Sequence, residues 1–325
     1  MLYAGTTSIH SFKYFVLNNK VKKLKPWSLS AGNFFIPTRI STRKIKNETS
    51  ETLRDETVII TENVKPISVH IPTHLRPVSD DQFGHYLAGL IDGDGHFSSK
   101  QQLVIVFNSL DVSLAYYLKK RLGFGSVKKV KDKNAYILVI AAKKGLEKVI
   151  NLINGKIRTE NKFNQIINNI LNHNNYAEFR KKISLKLNLD KDLKNHWLAG
   201  FSDADASFQI KLLNRDNRVE VRLNFQIDQK KESILLLIKD FFGGNIGYRK
   251  TQDTYYYGST SFGSARKVIN YFDLFHLLSS KHLNYLKWRK AYIIIQKRDH
   301  LNKNGLEKII KLKNTMNRLS DTTTV

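Results

Sequence analysis

Two stretches of this chain repeat each other: residues 85–97 read HYLAGLIDGDGHF, and residues 196–208 read HWLAGFSDADASF. Each carries His, an aromatic residue, Leu-Ala-Gly, an apolar residue and then Asp-x-Asp. Similar patterning follows each copy, so the chain is expected to hold two copies of one supersecondary unit related by a pseudo-twofold axis. Few folds meet that requirement, and the spacing of the two strings sets the size of each unit.

The pattern downstream fills in the unit. In the first copy, residues 82–95 read as a helix with Phe83, Tyr86, Leu87, Leu90 and Ile91 on one side. Leu103, Ile105 and Phe107 then alternate with Gln102, Val104 and Val106, as in a half-buried strand. An amphipathic helix over 110–122 ends at Gly123. A second hairpin turns at Asp132, Lys133 and Asn134, and helices over 144–154 and 160–172 close the unit. The second copy repeats the order: helix 195–206, strands 207–213 and 218–228, helix 231–242, hairpin 246–262, helices 264–278 and 282–299. The expected fold class is α+β, two αββαββα domains over 80–175 and 195–315. A Lys- and Asp-rich linker spans 176–194, and a tail spans 316–325.

Residues 1–79 differ from the rest. No acidic residue precedes Glu48, basic and hydroxyl side chains dominate, and all five prolines lie between Pro26 and Pro77. This composition suits a disordered basic extension, an organelle-targeting leader or an in-frame leader from an upstream exon. The proline-free remainder suits unbroken helices and strands.

Charge narrows the partners. With 54 Lys and Arg against 28 Asp and Glu, the net charge is +26, a self-repulsion that a polyanionic partner relieves. No apolar run approaches the roughly 18 residues of a membrane span, so nucleic acid is the expected partner and membrane is not. The chain has no cysteine, which leaves carboxylate, histidine, hydroxyl and oxygen-ligated metal chemistry.

Gly89 and Gly93, like Gly200 and Ala204, sit four residues apart on one helix face, where small residues let two helices approach closely. If the repeated helices pack on each other as the seam between domains, Asp94 and Asp205 meet at the same end. Two such carboxylates repel unless a cation lies between them. Mg²⁺, or another divalent ion such as Mn²⁺, takes one or two carboxylates and keeps positions for water and phosphate. Asp92 and Asp203 read as caps or braces of the helix ends. His85 and His196 lie too far from the acids to share a metal and read as packing residues. On the outward strand faces, Gln209, Lys211, Arg218, Arg222, Asn224 and Gln226, extended by Tyr248, Arg249 and Lys250, are suitable major-groove readers. Val104 and Val106 occupy equivalent places in the first half, so the C-terminal half is expected to supply more base contacts. Lysine-rich segments 128–133 and 308–313 suit phosphates.

With LAGLIDGDG at 87–95 and LAGFSDADA at 198–206, residues 80–315 resemble the two-motif, single-chain LAGLIDADG homing endonucleases. The resemblance implies a monomer whose motif helices form the domain interface and whose two sheets form a saddle over duplex DNA. It implies metal binding by Asp94 and Asp205, aided by the main-chain carbonyls of Gly93 and Ala204. It further implies basic residues near the two centres at Lys156 and Lys281, and a solvent-organising role for Gln229, whose counterpart is Ser109. Ser202 and Ala206 depart from the family pattern without touching the acids. The implied activity is Mg²⁺-dependent double-strand cleavage of a long asymmetric target, serving intron mobility in a mitochondrial setting. An RNA maturase acting on its host intron is the alternative, and a non-catalytic binding module the third reading.

Overall fold

The computed structural model describes residues 65–215 and 219–316 with their side chains. It adds the backbone of Arg218 and of a short antiparallel ladder, β1 (Phe15–Leu17) with β2 (Lys20–Lys22). The first repeat runs α1 (Asp80–Asp94), β3 (Gly95–Ser98), β4 (Gln102–Asn108), α2 (Val112–Leu122), β5 (Ser126–Lys129), β6 (Ala135–Ile140) and α3 (Lys143–Ile153). Then α4 (Glu160–Ile166) runs on through a π turn over Ile167–Leu171, and α5 (Ala177–Lys182) opens the linking segment. The second repeat is α6 (Trp197–Asp205), β7 (Ala206–Arg215), β8 (Arg218–Gln229), α7 (Ser233–Phe242), β9 (Asn245–Arg249), β10 (Thr254–Ser259), α8 (Phe262–Phe272) and α9 (Lys281–Gln296). A further helix, α10 (Lys303–Thr315), follows. Both sheets are four-stranded and antiparallel, in the matching orders β3-β4-β6-β5 and β7-β8-β10-β9.

Local chemistry accounts for the element ends. Ser79 caps α1 by accepting from the Gln82 amide at 3.1 Å, while the Gln82 side chain accepts from the Val78 amide at 2.9 Å. Gly123 stops α2 with a left-handed φ of 77°, its amide donating to the Lys119 carbonyl. Period-two patterning then buries one face of each sheet. Phe97, Leu103, Ile105, Leu138 and Ile140 form the first core; Phe208, Leu223, Phe225, Ile227 and Tyr257 form the second. The second core is aromatic: the Phe208 ring lies 5.5–5.6 Å from those of Phe272, Tyr285 and Trp288. No described helix is long and apolar enough to cross a membrane.

Two expectations need correction. Residues 65–79 are not a separate extension, because they dock on the body by backbone hydrogen bonds. Ile67 exchanges a pair with the Gln296 amide at 2.9 and 3.1 Å, the His70 carbonyl accepts from Arg289 at 3.1 Å, and the Val78 carbonyl accepts from Arg121 at 2.7 Å. The lysine-rich stretch 308–313 lies on α10, with Lys308, Lys311 and Lys313 exposed while Ile309 is buried and Leu306 and Leu312 pack against the core. Finally, α8 ends at Phe272, and residues 276–280 form an irregular connection into α9. The expected leader over residues 1–64, apart from the β1–β2 backbone, and the tail over 317–325 lie outside the described residues, as do Asp216, Asn217 and the Arg218 side chain.

Candidate active site and nucleic-acid interface

The two motif helices cross at their glycines. A Cβ on Gly89 would sit 1.9 Å from the Trp197 carbonyl oxygen, and one on Gly200 would sit 1.9 Å from the Tyr86 carbonyl oxygen. Backbone therefore packs on backbone at this point, and no residue with a side chain fits either position without parting the helices. His85 and His196 flank the start of the seam. Burial lowers both imidazoles, that of His196 to about 4, and His196 packs edge-on to Phe275 at 5.1 Å.

A reciprocal polar lock sits further along. Tyr86 donates its hydroxyl to Asp203 Oδ2 at 2.6 Å, and Trp197 donates its indole N–H to Asp92 Oδ2 at 2.8 Å. Each aromatic residue of one motif thus holds the first aspartate of the other. The same carboxylates anchor the segment after each repeat's last sheet-packing helix. Asp92 accepts from the Arg158 and Thr159 amides and the Thr159 hydroxyl, Asp203 from the Leu278 and Ser279 amides and the Ser279 hydroxyl. Burial raises both acids, Asp92 to about 6, with the hydrogen bonds pulling back. The bracing role expected for this pair is the one the geometry gives them.

Asp94 and Asp205 end the two helices, one residue before β3 and β7 begin. A Cβ on Gly93 would meet the Ala204 Cβ at 2.3 Å and Asp205 Oδ2 at 2.8 Å, so Gly93 keeps a space open beside that carboxylate. Burial raises both acids, and the Asp94 charge lifts Asp205 further, to about 6; Lys281 and Lys162 work in the opposite sense on each. Lys281 donates its ammonium to the carbonyls of Ala204 at 2.5 Å and Ser202 at 3.3 Å. Gln229 donates to Asp205 Oδ2 at 2.6 Å. A cation thus already rests on the carbonyl assigned to metal binding by resemblance. Two carboxylates, main-chain carbonyls and a side-chain-free space form an all-oxygen set that fits a hard divalent ion.

Lys156 is the site residue that geometry removes. Its ammonium pairs with Asp81 at 3.2 Å in the first turn of α1, about 20 Å along the helix axis from Asp94. Lys162 stands there instead, donating to the Gly95 carbonyl at 2.6 Å. Burial lowers its pKa while Asp92, Asp205 and Asp94 draw it back up, and Lys281 is perturbed in the same way. Thr159 matches Ser279 as the hydroxyl on the motif's first aspartate, and this docking, which no pattern along the chain announces, is what brings Lys162 rather than Lys156 to the centre. The two centres also differ, because the Ser109 hydroxyl is buried without a hydrogen-bond partner where Gln229 has one.

Strand register sorts the expected readers. Gln209 pairs with Asn224, Lys211 with Arg222 and Ser207 with Gln226, so these side chains share the sheet face opposite the core, joined by Asp228, Tyr256 and Arg249. Tyr248 pairs with Tyr255 one position out of step and lies on the other face, its hydroxyl donating to Asp253 at 2.6 Å. It is not a groove reader; alternation overrides proximity in sequence. Lys250 begins the turn after β9 and is exposed. Asn224 is 3% exposed and donates to both Gln209 and Gln226, so it supports readers rather than presenting itself. Glu220, fully buried, holds Arg222 at 2.8 Å and Arg215 at 2.9 Å. Burial works to raise its carboxyl, but the two arginines prevail and hold it below the ordinary glutamate range. Arg249 pairs with Asp228 at 3.0 Å over the Tyr256 ring. The matching face of the first sheet carries His96, Val104, Val106, Ile137 and Val139, with Val106 49% exposed.

Two motif helices in reciprocal contact, each ending in an aspartate and running straight into a four-stranded sheet, define a class of pseudo-symmetric two-domain protein. The LAGLIDADG endonuclease family model matches residues 87–176 and 198–292, and the chain belongs to that family. It is 61% identical over 322 residues to the uncharacterized cox1 intron-2 37.2 kDa protein of Schizosaccharomyces pombe, covering 96% of this chain and 95% of that one. It is 31% identical over 267 residues to the intron-encoded DNA endonuclease aI3 of Saccharomyces cerevisiae, covering 66% of this chain and 64% of that one. Among solved structures, the meganuclease I-SmaMI bound to uncleaveable DNA shares the fold, with a TM-score of 0.57 and 23% identity over 72% of this chain and 99% of that one.

Proposed function

We propose that the protein is a site-specific DNA endonuclease that hydrolyses both strands of a long, asymmetric duplex target as a monomer, with Mg²⁺ as its divalent ion. The observation that carries this reading is the convergence of Asp94, Asp205, Lys162, Lys281 and Gln229 where the motif helices meet the two sheets. A non-catalytic binding module has no use for two buried-edge carboxylates held at mutual cost.

Asp94 and Asp205, with the carbonyls of Gly93 and Ala204, would hold the metal, which when bound would acidify a water and offset charge on the leaving oxygen. Lys162 and Lys281 place positive charge beside the point where a phosphodiester gains negative charge in its transition state. Gln229, fixed on Asp205, orients polar groups in one centre, whereas Ser109 leaves the other differently furnished. Strands β7, β8 and β10 offer the polar side chains that distinguish base edges, and the net charge of +26 supplies salt-sensitive affinity. A mitochondrial setting and a role in intron mobility are supported by the cox1-intron and intron-encoded names of the relatives.

Cleavage selection on a library holding candidate intron-insertion sites tests this, run with Mg²⁺ beside Asp94→Asn and Asp205→Asn. The expected result is sequence-specific double-strand cleavage by the unaltered chain and its loss in both variants. Tight duplex binding with no cleavage would overturn the endonuclease reading and favour the host intron RNA as the substrate of a maturase.

A further inference from the structure

Away from the carboxylate centre, three imidazoles converge. His74 lies in the docked segment before α1, His276 in the connection between α8 and α9, and His282 in the first turn of α9. One ring nitrogen from each lies within 4.8 Å of the others, and the ring centroids are 4.3–5.9 Å apart. His276 is only 4% exposed, and the Nδ1 atoms of His276 and His282 are buried with no hydrogen-bond partner. A native structure rarely strands polar atoms in this way unless another group completes them. Asp273, the acid whose charge acts on His276 and His282, is already engaged by Arg289 at 2.9 Å and by the Tyr285 hydroxyl at 2.5 Å.

We propose that His74, His276 and His282 form a second, zinc-type metal site, distinct from the carboxylate centre. Three neutral imidazoles are a borderline-soft, all-nitrogen set that suits Zn²⁺, Co²⁺ or Ni²⁺ and does not suit Mg²⁺. His74 Nε2 lies 2.8 Å from the Leu277 carbonyl, which can only accept. That contact puts the hydrogen on Nε2, leaves the lone pair on Nδ1, and supplies the carbonyl brace usual behind a metal-bound histidine. Zinc–nitrogen distances of about 2.0–2.1 Å require the ligating atoms to draw together, and exposed His74, on an irregular segment, is free to supply that movement.

The site has a structural consequence. The connection bearing His276 also carries Leu278 and Ser279, which hold Asp203, and leads into Lys281, whose ammonium reaches the Ala204 carbonyl. Metal bound here would clamp residues 65–79 to the second domain and fix the loop that delivers Lys281.

The test uses the full chain, stripped with a chelator and then titrated with Zn²⁺, and with Co²⁺ as a spectroscopic probe, in excess Mg²⁺. One equivalent per chain is expected, with the intense visible bands of low-coordinate Co²⁺, both in the unaltered chain and in Asp94→Asn/Asp205→Asn. His74→Ala, at an exposed position outside the hydrophobic core, should weaken binding at least 100-fold, beyond the roughly 10–100-fold cost of losing only an outer partner. His276→Gln and His282→Gln should do the same. Zinc uptake that survives His74→Ala, or that disappears with Asp94 and Asp205, would overturn the assignment.

Discussion

Replacing Gly89 by alanine tests the seam most directly. The added methyl would lie 1.9 Å from the Trp197 carbonyl oxygen and 2.8 Å from the Phe201 amide nitrogen, where ordinary contact begins near 3.4 Å. Both atoms are backbone of α6, so no rotamer change relieves the clash and the helices must part by about 1.5 Å. Overpacking of this kind costs about 3 kcal/mol. For a body of this size that lowers Tm by roughly 6–12 °C. The same displacement pulls Asp94 from Asp205 and breaks the hydrogen bonds of Tyr86 and Trp197, so cleavage should fall further than stability does. Gly200→Ala should match it, and the double variant should cost less than the sum, because one separation relieves both clashes. Gly123→Ala is the control: open space surrounds it, and only its left-handed φ of 77° opposes a side chain, at about 1 kcal/mol. Thermal unfolding and single-turnover cleavage read the series. A Gly89→Ala protein as stable and active as Gly123→Ala would refute the reasoning.

Lys162→Ala and Lys281→Ala should each slow single-turnover cleavage about 100-fold, whereas Lys156→Ala should leave the rate unchanged; a gel assay that resolves nicked from linear DNA shows which strand each lysine serves, and equal losses at Lys156 and Lys162 would defeat the assignment. Tyr86→Phe should cost about 2 kcal/mol by denaturant unfolding, since Asp203 loses a buried charged hydrogen bond; no measurable change would mean that the lock is idle. Glu220→Gln should relax sequence preference beneath Arg222 and Arg215 in binding selection while overall affinity changes little. The contribution of Glu220 is present above the ordinary glutamate range and is lost as pH falls through its lower folded value, so a preference that stays fixed in the variant would discount its role. The first sheet's Val104, Val106, Ile137 and Val139 should favour thymine methyl groups in their half-site, and a selection yielding equal polar-edge preference in both halves would contradict this.

The duplicated motif, the αββαββα order and the aspartate pair were legible because they rest on local rules: period-two and period-3.6 patterning, capping residues and small-residue spacing. Sequence also separated Asp92 and Asp203 from Asp94 and Asp205, since acids two residues apart differ by about half a helical turn and only the first of each pair is turned into the bonds that brace the seam. What it could not supply was anything set by meeting across the seam. Lys156 and Lys162 are both plausible lysines in a chain with 54 basic residues, and only the docking of Thr159 on Asp92 decides which one reaches the centre. Tyr248 looked like a continuation of the reading surface until its pairing with Tyr255 fixed its face. Residues 65–79 carry no periodic signal, because their order comes from side chains of α9 bonding to their backbone. Patterns of burial are written along the chain, whereas the partners of individual polar atoms are chosen by which distant backbone the fold brings within 3 Å.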